Sequence, residues 1–173
     1  MFGRKNGSVA EAVGTTYQMR QQMMSIGDDY WIENDARQRM FHVDGKALRL
    51  RKTLVLESSD GRALFTIKKQ MVSIRDTMDI ENAAGTIATV KKALISPLHD
   101  KFEIEFANGG EWTAQGKIGD HEYHVEGPSG RIADVSKRWF RVRDSYGIHV
   151  APGQNDALVL MITIAIDQLS HKR

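Results

Sequence analysis

The segment from Ala157 to Ile166 limits what this chain can fold into more than any other. It reads Ala-Leu-Val-Leu-Met-Ile-Thr-Ile-Ala-Ile and lies between Asp156 and Asp167. It has neither the alternation of a half-wet strand nor the polar stripe of a surface helix. Pro152-Gly153 marks a break before it, and Asn155 or Asp156 can cap a helix start. Lys172 and Arg173 suit the negative end of such a helix. Ten residues make about 15 Å of helix, whereas a bilayer core takes about 20 residues. The segment therefore predicts a helix near 154–169 that is buried in protein on every side. A sheet closed into a barrel would hide all of its faces and leave no open edges.

The rest of the chain has the period of a sheet. Phe102, Ile104 and Phe106 alternate with Lys101, Glu103 and Glu105, and Tyr123 and Val125 with Glu122, His124 and Glu126. Phe41 and Val43 alternate with Met40, His42 and Asp44. Each reads as a strand with one wet face. Turn signals recur at short intervals: Gly27-Asp28, Asp44-Gly45, Asp60-Gly61, Ala84-Gly85, Asn108-Gly109-Gly110, Gly119-Asp120 and Ser129-Gly130. The pattern predicts strands near 17–25, 29–34, 38–43, 47–50, 52–58, 62–69, 72–81, 86–95, 101–107, 111–118, 121–127, 131–137 and 139–150. Merging of one short early pair leaves about twelve. Met19, Met23 and Met24 on the first strand are read as core filling. A faint repeat relates Gly85–Lys92 to Gly130–Lys137, and Gly45–Leu48 to Gly61–Leu64. Similar hairpins explain it more simply than a duplicated unit.

A chain of 173 residues fits one domain. We expect a flexible segment over 1–14 and a single barrel domain over 15–173. The absence of cysteine removes disulfides, thiolate zinc sites and a thiol nucleophile, and fits a reducing compartment. A net charge of +2 with interspersed signs disfavours a nucleic-acid partner. No apolar stretch of signal-peptide length follows Arg4-Lys5, and Phe2 occupies the position that myristoylation requires to be glycine. The expected location is cytoplasmic, at most peripheral to a membrane.

Catalytic chemistry is hard to find in the residues. His121 and His124 are three apart, so on a strand they face opposite ways and cannot share an ion; both are read as surface histidines beside a turn. His42, His99, His149 and His171 are isolated. Asp28-Asp29 sits at a turn, and Glu103 and Glu105 share one wet face. Ser129 in Gly-Pro-Ser-Gly is a turn residue. No phosphate loop, dinucleotide fingerprint or nucleophile elbow occurs. The reading is a non-enzyme without metal or cofactor.

Basic clusters are the remaining lead. Lys46, Arg49, Arg51 and Lys52 fall close together, and Lys68-Lys69 and Lys91-Lys92 end two similar strands. In Lys137-Arg138-Trp139-Phe140-Arg141-Val142-Arg143, a strand would place Trp139, Arg141 and Arg143 on one face. An indole beside guanidinium groups suits a head-group boundary. The candidate anion-binding residues are Lys68, Lys69, Lys91, Lys92, Lys137, Arg138, Trp139, Arg141 and Arg143. The plainer reading is a solvated barrel exterior whose bases pair with Asp134, Asp144 and the glutamates.

Several segments resemble the opening of the LOR family: Tyr30-x-Ile32-x-Asn34-Asp35, Phe41-x-Val43-x-Gly45, Leu54 to Glu57, and Asp60-x-Arg62-x-Leu64. The resemblance runs from about Tyr17 to Leu169. That family is similar in fold to tubby C-terminal domains and to phospholipid scramblases. It implies a twelve-stranded barrel around a central helix and no settled activity. Tubby relatives bind phosphoinositide head groups through basic residues, but no tubby lipid motif stands out here. The proline-rich and cysteine-rich segments of scramblases are absent. The functional expectation is a binding module for anionic lipid head groups or another phosphorylated ligand. The alternative is a protein-interaction scaffold that binds no lipid.

Overall fold

The structure is a computed structural model that describes residues 13–20, 30–44, 53–70, 76–93, 100–140 and 143–170. Its strands are β1 (Thr15–Arg20), β2 (Tyr30–Asn34), β3 (Arg39–Asp44), β4 (Leu54–Ser58), β5 (Ala63–Lys69) and β6 (Thr77–Asn82). Then follow β7 (Gly85–Lys92), β8 (Asp100–Phe106), β9 (Glu111–Lys117), β10 (Glu122–Gly127), β11 (Gly130–Ser136) and β12 (Ser145–Val150). Among the described residues one α-helix, α1 (Asp156–Ser170), follows the strands. Each strand pairs with its sequence neighbours, and β1 closes the ring against β12 through six residue pairs, from Thr15 with Val150 to Arg20 with Ser145. The twelve strands form a closed antiparallel barrel, as the alternation and the turn signals predict. The segment expected at 47–50 lies outside the described residues, as do Met23, Met24 and residues 1–12.

Alternation sorts the wall into two faces. Phe102 and Ile104 of β8 are fully buried while Glu105 is exposed, and Leu54 and Leu56 of β4 point inward in the same way. The two segments that look alike in sequence form the same kind of hairpin. Gly85 and Gly130 both have φ of +115°, and the strand before each carries a register shift, at Ile80/Glu81 and at Val125/Glu126. A positive φ of that size favours glycine, so one turn chemistry serves both places.

One expected strand is much shorter than its alternation suggests. The segment expected at 139–150 begins only at Ser145, because Lys137–Trp139 coils into one 3-10 turn. The cause is a side chain. The Ser136 hydroxyl accepts the Arg138 N–H at 3.1 Å and turns the chain off its extended path. Trp139 therefore sits in this 3-10 turn and Arg143 in the turn that enters β12, not on the strand face expected for them.

The helix fills the barrel. Ala157, Val159 to Asp167, and Leu169 are all buried, with Ile162 at 1% exposure. It packs against β5, β6, β7 and β12. Asn155 caps it, its side-chain oxygen accepting the Leu158 N–H at 3.1 Å. The Thr163 hydroxyl, polar in the middle of the run, donates to the Val159 carbonyl at 3.0 Å. At the first turn the Tyr17 hydroxyl of β1 donates to Asp156.

The far end is held by a residue whose expected place was wrong. His121 is 2% exposed, and its Nε2 lies 2.7 Å from Asp167 Oδ1. It is not a surface histidine, because the strand starts one residue later. His121 ends the 3-10 turn Ile118–Asp120 in the left-handed region at φ 53°, which swings its ring inward. The ring stacks on Tyr146 at 4.2 Å. His124 lies half-buried on the opposite face of β10.

Burial pushes the hydroxyls of Tyr123 and Tyr146 well above their ordinary value of 10.0, and the Asp167 carboxylate adds to the effect. Burial, then the hydrogen bond to Asp156, raises Tyr17 as well. These phenols stay protonated in the folded chain where an unfolded chain would ionise them. Their contribution to stability is thus complete below pH 10 and is lost as pH rises above it. Alkaline titration followed by ultraviolet absorbance and circular dichroism is expected to show tyrosinate from these three appearing together with unfolding; their ionisation at pH 10 with the barrel intact would contradict this. The helix has a sharper test. Ile162→Asp buries an unpaired charge, a cost comparable to the roughly 5–15 kcal/mol that holds a domain folded. It is expected to abolish the cooperative thermal transition, while Ile162→Val costs only about 0.5–1.5 kcal/mol. A normal transition in Ile162→Asp would mean that the helix is not the core.

Candidate functional site

Antiparallel pairing places the ends of all odd-numbered strands at one rim. Lys68-Lys69 end β5, Lys91-Lys92 end β7, and Lys137-Arg138 follow β11, so these sequence-predicted residues share that rim. They do not form one patch. Four strand steps separate β7 from β11, about 19 Å along the wall at about 4.8 Å per step.

The first group is largely neutralised. Lys68 Nζ lies 2.7 Å from Glu81, Lys91 Nζ 2.6 Å from Glu105, and Lys92 Nζ 4.0 Å from Asp100. Exposed pairs of this kind contribute about 0–1 kcal/mol each to stability, but they lower the local positive field. Lys69 continues the inward row of Phe65 and Ile67 past the end of the core and stands exposed at the rim.

The second group differs. Ser136, the 3-10 turn Lys137–Trp139 and Phe140 form an elbow between β11 and β12. Its base is fixed by Glu122, the first residue of β10. The Ser136 hydroxyl donates to Glu122 at 2.9 and 3.0 Å, and the Lys137 N–H donates to the same carboxylate at 3.1 Å. Its outer side is aromatic. A Cβ at Gly147 of β12 would come within 2.8 Å of Trp139 and 3.0 Å of Phe140, so both rings lie over a position that only glycine leaves open. Trp139 also meets His149 edge-on at 6.2 Å, and His149 Nδ1 lies 2.9 Å from the Thr16 hydroxyl.

Despite this seat, Trp139 remains 44% exposed, and the only other exposed large apolar residue among those described is Val13. The Arg138 side chain is 86% exposed, with its Nε 3.9 Å from Glu122. Lys137 and Arg143 are exposed, and among the described residues neither side chain has a carboxylate partner. Arg141 lies outside the described residues, as do Lys46, Arg49, Arg51 and Lys52. The structure thus brings together Lys137, Arg138 and Trp139, with Arg143 at the return into β12. Glu122, which holds the elbow, could not be found from sequence, since its partnership depends on which strand lies beside β11.

The opposite rim carries a shallow open groove of about 510 Å³, lined by Gly109, Gly110, Glu111, Thr113, Glu126, Gly127 and Pro128. Inside the barrel the polar groups His121, Asp167, Tyr123 and Tyr146 are sealed by packing. Among the described residues no three His, Asp or Glu side chains gather as metal ligands. No described helix is long and apolar enough to cross a membrane.

Comparison with known proteins bears on the fold. An Arabidopsis thaliana protein of known X-ray structure superposes with a TM-score of 0.69, covering 92% of this chain and 93% of its own, at 12% identity. Likeness at that identity shows the shared barrel and nothing about ligands. A search of curated proteins gave no match. A family model described as LOR, LURP-one-related, matches residues 15–167. The match spans all twelve strands and most of the central helix, and the chain belongs to the LURP-one-related (LOR) family.

Proposed function

We propose that the protein is a non-enzymatic binding module whose elbow between β11 and β12 recognises a phosphate-bearing anionic ligand, with a lipid head group as the leading case. One observation carries the reading: an exposed indole sits on a fixed turn beside cations that no described carboxylate fully neutralises. Trp139 presents an apolar ring edge to the boundary layer, and Arg138 presents a guanidinium fork that matches phosphate oxygens. The shared rim supports the reading further. A flat anionic surface against that end of the barrel would meet the elbow and, across the mouth, Lys69 and Lys92. Because the core is filled by α1, recognition falls to the exterior. The expected setting is the cytoplasm, peripheral to a membrane.

A second reading has its own observation. The groove beside Glu111 and Glu126 suits contact with a protein, as a scaffold without lipid affinity would use.

Vesicle co-sedimentation separates the two. Phosphatidylcholine vesicles doped with phosphatidylserine are expected to bind the protein at low salt and to shift Trp139 emission to the blue. Near an anionic surface each basic contact contributes about 1 kcal/mol, so Lys137→Glu with Arg138→Glu should weaken binding about thirtyfold or more. Binding that is absent at low salt, or indifferent to the double reversal, rejects the elbow as a lipid site.

A further inference from the structure

The donors of the elbow already hold an anion. The Glu122 carboxylate accepts the Ser136 hydroxyl and the Lys137 N–H, and it lies 3.9 Å from Arg138 Nε. A hydroxyl, a backbone N–H and a guanidinium turned toward one carboxylate are the donors that a phosphate group would use. Glu122 is reachable, since its side chain is 32% exposed. The hydrogen bonds to Ser136 and Lys137 require an acceptor oxygen, which an amide also supplies.

We infer that Glu122 is a built-in competitor that sets the threshold at which the elbow takes an anionic ligand. The inference rests on the elbow reading above and adds its regulation. While Glu122 faces the elbow, its negative charge offsets Arg138 and Lys137 and occupies two of their neighbouring donors. A weakly charged surface or a lone anion cannot displace it. A ligand that carries several negative charges, or a surface that presents many, gains enough from Lys137, Arg138 and Arg143 to do so. Binding then becomes a steep function of anionic density, not a simple sum of basic contacts.

Glu122→Gln tests this, because it keeps the acceptor and removes the charge. Asp35→Asn is the control: it makes the same change in net charge at the opposite rim, in the exposed turn between β2 and β3. The probes are the phosphatidylserine-doped vesicles and, separately, inorganic phosphate. Glu122→Gln is expected to bind the vesicles about fivefold more tightly than the parent chain, the effect of relieving about one charge near the surface. Its affinity should also fall more steeply with salt, and Asp35→Asn should change little. A gain with vesicles alone identifies a surface-presented head group, and a gain with phosphate as well identifies the phosphate group itself. Equal gains for both variants would reduce the effect to net charge and overturn the inference. Binding by the parent chain with no gain in Glu122→Gln would overturn it and leave the elbow reading standing, whereas no binding by any of the three proteins would remove both. Circular dichroism checks folding. Should Glu122→Gln not fold, the parent chain still decides the matter through the backbone amide resonance of Lys137. Saturation with short-chain phosphatidylserine must shift that resonance as the carboxylate leaves it, and an unmoved amide would refute the displacement.

Discussion

A helix with no polar face is what the rest of this molecule is organised around. Water cannot solvate its middle, and a single sheet packed on one side would leave most of it wet. Closing a sheet around it removes both problems at once, since every helix face gains a wall and the sheet loses its edges. Each buried Val, Leu, Ile or Met side chain contributes about 1.5–3 kcal/mol from burial alone, and the helix supplies Val159, Leu160, Met161, Ile162, Ile164, Ile166 and Leu169 to a common core with Ile32, Leu56, Ile80, Ile104 and Ile148 from the strands. Register in the wall follows, because a slip by one residue would turn a strand's apolar row away from the helix.

Hydrophobic burial does not by itself fix where along its axis the helix stops. Two polar contacts near its ends do. Tyr17 reaches Asp156 in the first turn, and His121 reaches Asp167 in the last. Both cross from the wall to the helix, so sliding the helix by one turn would strand a carboxylate in an apolar interior at a cost of several kcal/mol. The geometry of His121 belongs to the same logic. A left-handed backbone at a non-glycine residue is strained, and here it delivers an imidazole to Asp167, the one buried carboxylate among the described residues.

Much of this was legible in the residues, and the failures share a cause. The helix could be read because Ala157 to Ile166 has a composition that only burial accommodates. The strands could be read because Phe102, Ile104, Tyr123 and Val125 keep strict period two. Lys137 to Arg143 misled because alternation in a short basic-aromatic run is cheap to imitate, while the Ser136 hydroxyl that bends the chain acts through one hydrogen bond. His121 misled in the same way, one residue before its strand begins. Pairings such as Lys91 with Glu105 or Ser136 with Glu122 join residues 14 apart on neighbouring strands, and their existence depends on register, which no local pattern encodes. The neutralisation of Lys68, Lys91 and Lys92, and with it the narrowing of the candidate site to the elbow, was therefore out of reach.

The order of the elements along the chain has a consequence for how the molecule is made. All twelve staves leave the ribosome before the helix that they enclose. Hairpins can form as they emerge, but they have nothing to wrap, and the seam between β1 and β12 joins segments more than a hundred residues apart. Contacts of such long range are slow to form and leave apolar faces open meanwhile. The newborn chain must carry an unfilled sheet until helix α1 is synthesised, so a break in translation between Val150 and Asp156 yields a product with all twelve wet-and-greasy strands and no helix to hide them.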